Sequence, residues 1–231
     1  MLNNEYVLGI DIGGTHISSA VLELGSRKIL VDTFTRSAVD SKGSREAILS
    51  EWKNNILETW KKAGLVHTKL GIALPGPFDY ELGISYMKGN NKYEELFGLN
   101  VKDLLAEAIG IPSSDILMTN DAGSFLRGEA FIGALKGVGQ AVGITLGTGL
   151  GSAIKQFDKV EDADLWQMPF GDGIAEDYIS ARWFLKAYHE RTGLNITDVK
   201  ALSSFYPDSV TVRSLFDEFA VTGRVGIGRP G

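Results

Sequence analysis

The chain has 231 residues, with 23 Lys+Arg, 29 Asp+Glu, three His and no Cys, so its formal net charge is −6. Hydrophobic residues at 44% and charged residues at 23% are ordinary for a globular protein, which excludes a disordered tail, a collagen-like chain and a disulfide scaffold. The acidic balance, without a Lys/Arg cluster, argues against a nucleic-acid partner, since such affinity comes largely from basic residues that displace counterions.

The chain begins without the basic segment and apolar run of a secretory signal, and the absence of Cys gives no sign of an oxidising compartment. The cytoplasm is therefore the expected location. The uncharged stretch 137–154 has the length of a membrane span, but its six Gly and four polar residues predict sheet and turns instead. We expect no membrane-spanning segment.

The first half of the chain is typical of an α/β unit. Three β-branched and apolar runs, the first two separated by Gly13-Gly14-Thr15, predict an antiparallel meander. Ser44 is placed to cap a helix whose apolar residues recur every four positions, and Gly64 is placed to end it. The predicted elements are strands over 6–12, 17–24 and 28–35, a helix over 44–63 with the apolar stripe Ile48, Trp52, Ile56 and Trp60, a strand over 70–74, a loop over 75–98, a helix over 101–109 and a strand over 115–118.

The second half begins with a predicted helix and a predicted hairpin around Gly147-Thr148-Gly149-Leu150. A constant offset of 134 aligns four residues of the first hairpin with this one, namely Gly9, Ile10, Gly13 and Ser18 with Gly143, Ile144, Gly147 and Ser152. Either both halves begin with the same structural unit, or the identities are chance between two Gly-rich hairpins. The predicted elements are a helix over 122–131, strands over 141–146 and 151–156, helices over 174–191 and about 209–219, and no periodic structure over 221–231.

The turn in Asp11-Ile12-Gly13-Gly14-Thr15 has the composition of an anion site, because two residues without Cβ let backbone N–H groups approach a phosphate. Asp11 could hold Mg²⁺ there, directly or through water. An ordinary Gly-rich hairpin turn is the alternative. The second turn, Gly147-Thr148-Gly149, favours the phosphate interpretation, because two such hairpins could clamp one triphosphate. A P-loop is excluded, since the dipeptide Gly-Lys never occurs.

Four motifs, in order and spacing, resemble those of the ROK family of sugar kinases and regulators. The motifs are Asp11-Ile12-Gly13-Gly14-Thr15, Leu74-Pro75-Gly76-Pro77 with Asp79 and Gly83, Asn120-Asp121 with Gly128-Glu129, and Leu146-Gly147-Thr148-Gly149-Leu150-Gly151. The resemblance covers about residues 6–219. It implies the α/β actin-like ATPase fold, with two ribonuclease H-like lobes that hold ATP and sugar between them. We expect an N-terminal lobe over 1–119 and an incomplete C-terminal lobe over 120–231.

The resemblance also implies roles for the motif residues. In the family the two glycine turns hold phosphates, which assigns Asp11, Gly13, Gly14, Thr15, Gly147, Thr148 and Gly149 to Mg·ATP, with Asp11 at the metal. Asp121 would be the general base that accepts the proton of the attacking sugar hydroxyl, and Asn120 would hydrogen-bond another hydroxyl. The alternative for Asp121 is a helix cap, for which Asn and Asp are both preferred.

Further sugar contacts follow from the resemblance at Gly76, at Asn91 or its neighbour Asn90, and on a later segment. On that segment this chain has Asp164 where family members carry a Glu, and Gln167 where they carry a His. Glu176 stands where the family has a second Glu at the start of a helix. A shorter carboxylate re-aims hydroxyl recognition, so the identity of the hexose stays open. The alternatives are a surface acid for Asp164 and a helix-dipole residue for Glu176.

The chain departs from the family in two places. Many members bind zinc through a His and a Cys cluster, whereas this chain has no Cys and scattered His, so no zinc is expected. Family chains also continue through an adenosine-binding segment beyond the equivalent of Gly231. We therefore expect an ATP-dependent hexose kinase or, alternatively, a catalytically degenerate sugar-binding protein. A DNA-binding regulator is not expected, because the first strand leaves no room for a winged helix before it. Members are often dimers, which implies a homodimer.

Overall fold

The structure, a computed structural model, describes residues 5–89, 92–147 and 149–227, with side chains described up to residue 223. The strands are β1 (Tyr6–Ile12), β2 (His16–Glu23), β3 (Lys28–Ala38), β4 (Lys69–Leu74), β5 (Phe78–Asp79), β6 (Ile84–Ser85), β7 (Ile116–Asn120), β8 (Gln140–Leu146), β9 (Leu150–Gln156), β10 (Lys159–Asp162), β11 (Pro169–Phe170) and β12 (Gly173–Ile174). The helices are α1 (Arg45–Ala63), α2 (Val101–Ile109), α3 (Asp121–Phe131), α4 (Ala175–Tyr178), α5 (Ala181–Thr192), α6 (Val199–Ser203) and α7 (Val210–Ile227).

The chain divides into two compact units between Ser124 and Phe125. This division falls inside α3, whereas the boundary expected from the sequence lies just before that helix. The predicted lobes over 1–119 and 120–231 remain a proposal about the domains. Among the described residues, we find no helix that combines the length and the apolar character needed to cross a membrane.

The first unit is built on a five-stranded sheet in the order β3-β2-β1-β4-β7. The predicted meander of β1, β2 and β3 is confirmed, and β4 and β7 add to it in parallel with β1. Because β1, β4 and β7 are parallel, their carboxyl ends lie at one edge of the sheet, which is where ligands bind in open α/β sheets. Asp11, Leu74 and Asn120 all lie at or next to these ends.

Helix α1 covers the sheet with the apolar stripe that the sequence predicts. All four residues of the stripe are buried, and each large apolar side chain removed from water contributes about 1.5–3 kcal/mol. The helix begins and ends where predicted: the Ser44 side chain accepts a hydrogen bond from the Ala47 N–H, and Gly64 takes the left-handed conformation at φ 66°. A buried Asn55 on α1 bonds Ser19 of β2 at 2.6 Å, so this polar pair is satisfied inside the core.

The second unit begins with a three-stranded antiparallel sheet in the order β10-β9-β8, the same arrangement as β3-β2-β1. The segments that the 134-residue offset aligns therefore both belong to three-stranded antiparallel sheets of the same order, while the origin of the four identities stays open. The helices of the second unit enclose a separate apolar cluster around Phe184, Leu202 and Leu215. Within it, the ring centroids of Phe184 and Phe219 are 4.5 Å apart.

Two predictions for the second half were wrong. The single helix expected over 174–191 is two helices, because Ser180 is extended and the N–H of Ala181 donates to the carbonyl of Gly147 at 2.9 Å instead of continuing a helix. The segment expected to lack periodic structure belongs to α7 as far as Ile227. The short helix α6 and the strand β10 carried no sequence prediction, and the loop expected over 75–98 contains β5 and β6.

Candidate active site

The first glycine turn joins β1 to β2 and is closed by its own backbone. The Gly13 N–H donates to the carbonyl of His16 at 2.9 Å, and the carbonyl of Thr15 accepts from the Val39 N–H at 2.9 Å. The side chain of Lys92 reaches the turn, with its Cδ 3.9 Å from the position of a Cβ on Gly14. A cationic side chain beside two residues without Cβ suits an anionic ligand.

A buried tyrosine holds this turn from the core side. Tyr93 is fully buried, and its hydroxyl donates to the carbonyl of Gly13. Its backbone has a left-handed φ of 55°, which is uncommon for an aromatic residue, and its ring meets Trp52 edge-on at 5.4 Å between centroids. Burial raises the pKa of the Tyr93 phenol above its ordinary range, so the hydroxyl keeps its proton. No motif in the sequence marks this residue.

The carboxylate of Asp121 acts electrostatically on that of Asp11. Asp11 is exposed as a residue, yet the protein atoms around its carboxyl group desolvate it, and together with repulsion from Asp121 they raise its pKa. The Arg36 guanidinium acts in the opposite direction. The predicted metal residue and the predicted base are therefore close enough to interact within the first unit.

The Asn120-Asp121 pair begins α3 at the end of β7. The Oδ1 of Asn120 accepts from the N–H groups of Ala122 at 2.9 Å and Gly123 at 3.4 Å, so Asn120 is the residue that caps the helix. The Oδ1 of Asp121 accepts from the Ala122 N–H at 2.8 Å. Among the described residues no protein donor contacts the Oδ2 of Asp121, which leaves that oxygen able to accept a proton from a ligand hydroxyl.

Gly76 and Asn120 are linked through a tyrosine that sequence analysis did not single out. Asn120 donates from Nδ2 to the hydroxyl of Tyr80 at 3.3 Å, and this hydroxyl donates to the carbonyl of Leu74 at 3.1 Å. A Cβ on Gly76 would lie 3.2 Å from the same hydroxyl. The structure thus brings two predicted sugar contacts, Gly76 and Asn120, to one place.

The second glycine turn lies between β8 and β9 and is held by Glu176. The Gly147 N–H donates to the carbonyl of Gly149 at 3.0 Å, and the Leu150 N–H donates to Oε2 of Glu176 at 2.9 Å. A Cβ on Gly149 would lie 2.2 Å from that oxygen, so the carboxylate occupies the space of a side chain there. The other oxygen of Glu176 pairs with Arg182.

Two of the remaining predicted sugar contacts, Asp164 and Gln167, lie at the surface. Both are exposed; Asp164 precedes the one-turn 3-10 helix Leu165–Gln167, which ends with Gln167. The Oδ1 of Asp164 accepts from the indole N–H of Trp166 at 3.3 Å. Thr148 lies outside the described residues, as do Asn90 and Asn91. Their predicted contacts, and the clamp formed by the two glycine turns, stay predictions.

The carboxylate of Asp11 at the first turn suits a hard cation such as Mg²⁺, whose other ligands would be phosphate oxygens of a nucleotide. Mg²⁺ is usually held by one or two carboxylates together with substrate phosphates. Desolvation and, secondarily, the charge of Asp121 raise the pKa of Asp11, and a cation beside it would favour its charged form. Within the described part of the chain no group of three or more His, Cys, Asp or Glu could hold a metal.

Comparison with known proteins agrees with these features. The sequence pattern of the ROK family matches residues 7–160. The chain is 29% identical over 148 residues to a glucokinase of Thermotoga maritima, covering 64% of this chain and 44% of that protein. It is 30% identical over 150 residues to a beta-glucoside kinase of Klebsiella pneumoniae, covering 64% of this chain and 45% of that protein. The chain thus spans less than half the length of these curated relatives.

Solved structures extend the similarity to the fold. A ROK family glucokinase from Streptomyces griseus, solved with glucose and AMPPNP, superposes with a TM-score of 0.76 at 21% identity, over 96% of this chain and 78% of that one. A ROK family transcriptional regulator, a homologue of the E. coli MLC protein, gives a TM-score of 0.74 at 18% identity, over 96% of this chain and 61% of that one. The fold is therefore the α/β actin-like ATPase fold expected from the sequence. The chain belongs to the ROK family.

Proposed function

We propose that this chain provides the catalytic residues of an ATP- and Mg²⁺-dependent sugar kinase that phosphorylates a hydroxyl of a glucose-like hexose. The observation that carries the proposal is that Asp11, beside the first glycine turn, and Asp121, at the start of α3, both lie at or next to the carboxyl ends of parallel strands of one sheet, and that Asp121 contributes to the raised pKa of Asp11. A base and a phosphate-side carboxylate must lie near each other when a hydroxyl attacks a phosphoryl group. The names of the relatives, glucokinase and beta-glucoside kinase, support the same reaction class.

Asp121 is the general base of this proposal. Its Oδ1 is held by the Ala122 N–H, which orients the carboxylate at the carboxyl edge of the sheet. Its Oδ2 accepts the proton of the sugar hydroxyl as the hydroxyl oxygen attacks phosphorus, a role worth about 10²- to 10⁴-fold in rate. Asn120 donates to another hydroxyl of the sugar from the same strand end and so helps to orient the sugar for attack.

The phosphate-binding residues of the proposal lie on the two glycine turns. These residues are Gly13, Gly14 and Thr15 on the first turn and Gly147, Thr148 and Gly149 on the second. The N–H groups of Gly13 and Gly147 already donate to the carbonyls of His16 and Gly149, so in this proposal the other N–H groups of the turns would meet the phosphates and the two glycines would leave space for them. Asp11 would hold Mg²⁺, directly or through water, and the ion would supply charge neutralisation at the phosphate oxygens. The proposed sugar contacts, apart from Asn120, are Gly76, Asn91, Asp164, Gln167 and Glu176.

The relatives leave a second function open, because a regulator in this family shares the fold at a TM-score of 0.74. That second candidate is a sugar-binding protein that does not turn over ATP. We also propose that the protein is located in the cytoplasm and forms a homodimer.

The test is release of ADP from Mg·ATP across a panel of hexoses, N-acetylhexosamines and polyols. Asp121→Asn keeps the shape of the side chain and removes the base, so we expect turnover to fall by about 10²- to 10⁴-fold while sugar binding is retained. Asp32→Asn, at an exposed position of β3, is the matched control and should behave as the wild type.

An Asp121→Asn variant with wild-type turnover would overturn the assignment of the base. Sugar binding by the wild type without turnover for any sugar would favour the sugar-binding protein. Absence of both binding and turnover would contradict both candidates.

A further inference from the structure

We propose that Tyr80 is a positioning residue that occupies one hydrogen of the Asn120 amide, whose orientation the helix cap sets, so that the side chain presents a single N–H, and no acceptor, to the substrate. The inference rests on the proposed function, in which Asn120 contacts the sugar. It goes beyond that function by assigning the direction of the hydrogen bond that Asn120 makes. Tyr80 itself is not placed against the reacting atoms.

The hydroxyl of Tyr80 bridges two parallel strands at their carboxyl ends. It donates to the carbonyl of Leu74 at 3.1 Å and accepts from Nδ2 of Asn120 at 3.3 Å. Leu74 and Asn120 are register partners at the end of the β4–β7 ladder. The ring of Tyr80 packs on Phe78 with centroids 5.2 Å apart, so the aromatic contact sets where the hydroxyl lies.

The polar atoms of the Asn120 side chain can be accounted for one by one. Its Oδ1 has two lone pairs, and these accept from the N–H groups of Ala122 and Gly123. Its Nδ2 carries two hydrogens, of which one is donated to Tyr80. A flipped amide would place the NH₂ group against two backbone N–H donors, so the cap itself fixes the orientation. One N–H is left to meet a ligand.

This arrangement defines what the Asn120-Asp121 pair can recognise. Asn120 offers a donor and the Asp121 carboxylate offers an acceptor, so the pair suits a sugar whose attacking hydroxyl donates to Asp121 while another hydroxyl accepts from Asn120. An ammonium group beside Asn120 would be unfavourable, because its N–H donors would face the Asn120 N–H with no acceptor between them. The pair is therefore built for a neutral alcohol, and Tyr80 maintains this by keeping the second Nδ2 hydrogen occupied.

Gly76 belongs to the same arrangement. A Cβ there would lie 3.2 Å from the Tyr80 hydroxyl and 3.5 Å from the Phe78 N–H nitrogen, which is tight on one side and ordinary on the other. A side chain at position 76 would push the hydroxyl away from Asn120. The absence of a side chain at Gly76 thus serves the Tyr80 bridge as well as any contact with the sugar.

The first experiment measures the Asn120 amide without any ligand. In ¹⁵N-labelled protein, Tyr80→Phe keeps the ring and removes the hydroxyl, so we expect the Asn120 side-chain NH₂ to exchange with solvent faster and to change its chemical shift. Tyr86→Phe, at an exposed tyrosine of the following segment, is the matched control and should leave both properties unchanged. An Asn120 NH₂ signal that is the same in Tyr80→Phe and wild type would overturn the inference.

The second experiment uses the sugar that supports turnover. We expect Tyr80→Phe to raise the KM for sugar about 3- to 10-fold, the loss of roughly one hydrogen bond, with kcat and the KM for ATP within about twofold of the wild type. A purely structural role would lower the thermal midpoint without a selective rise in the sugar KM, and that result would contradict the inference. If the wild type acts on no sugar, the proposed function fails, while the amide experiment still decides the role of Tyr80.

Discussion

The carboxylate of Glu176 accepts a hydrogen bond from the backbone N–H of Leu150 at 2.9 Å and fills the space beside Gly149. A residue that the sequence assigned to the sugar thereby also shapes the second glycine turn. If the proposed sugar contact is correct, one carboxylate connects sugar recognition to the turn that is proposed to hold phosphate. The other oxygen of Glu176 pairs with Arg182, which keeps the carboxylate in place.

Gly149→Ala tests this contact, because the new methyl group would overlap Oε2 of Glu176. The flexible carboxylate would move away and leave the Leu150 N–H without its partner, which costs about 1–3 kcal/mol of the free energy of unfolding. The measurement is chemical denaturation of Gly149→Ala, Glu176→Ala and the double variant. We expect the double variant to lose no more than either single variant. Gly25→Ala, in an open turn, is the control, and strictly additive losses would contradict the coupling.

Tyr93→Phe tests the support of the first turn. The variant removes a buried donor to the Gly13 carbonyl and leaves that oxygen without it, so we expect the free energy of unfolding to fall by about 1–2 kcal/mol and the KM for ATP to rise. Denaturation and steady-state kinetics measure the two effects. Tyr206→Phe removes a hydroxyl from a more exposed tyrosine and should change neither. A Tyr93→Phe variant of wild-type stability would show that the turn does not depend on this bond.

Asp121→Asn should lower the pKa of Asp11 towards its ordinary value. The substitution removes a negative charge that repels the Asp11 carboxylate, and the opposing influence of Arg36 remains. Arg36→Gln should move the Asp11 pKa in the other direction. A ¹³C carboxyl titration by NMR measures both shifts, with Asp32→Asn as the control. If the Asp11 pKa is the same in wild type and in both variants, the carboxylates of Asp11 and Asp121 are too far apart to act on one metal–phosphate group.

Asp11→Asn should make the protein more stable near neutral pH. A carboxyl group whose folded-state pKa is raised favours the folded protein below the unfolded pKa of about 3.9, and this contribution is lost as pH rises through the folded pKa. The neutral amide of Asn avoids the cost of desolvating a charged carboxylate. The thermal midpoint of Asp11→Asn should therefore exceed that of the wild type above the folded-state pKa of Asp11, and the difference should shrink as the pH is lowered. Thermal unfolding between pH 3 and pH 8 measures this, with Asp32→Asn as the matched control. A gain that is constant over this range would contradict the electrostatic cause.

Elements whose signals are local were predictable from the sequence. Helix α1 runs from its Ser44 cap to Gly64 as expected, because capping, periodicity and the left-handed glycine all act within the helix itself. The Gly13-Gly14 turn and the Asn120-Asp121 pair were found because each is a contiguous motif at a strand end. The break between α4 and α5 was missed, because the Ala181 N–H is taken by the carbonyl of Gly147, 34 residues earlier in the chain.

The sequence by itself determined the family, the order of most strands and helices, and the acidic and glycine residues of the candidate site. Only the tertiary structure decided which side chains hold those residues in place. Tyr93 lies 80 residues from Gly13, and Tyr80 lies 40 residues from Asn120, so neither contact leaves a periodic or contiguous signal. Such contacts depend on the packing of separate elements, and a hydrogen bond between distant residues is visible only once the chain has folded.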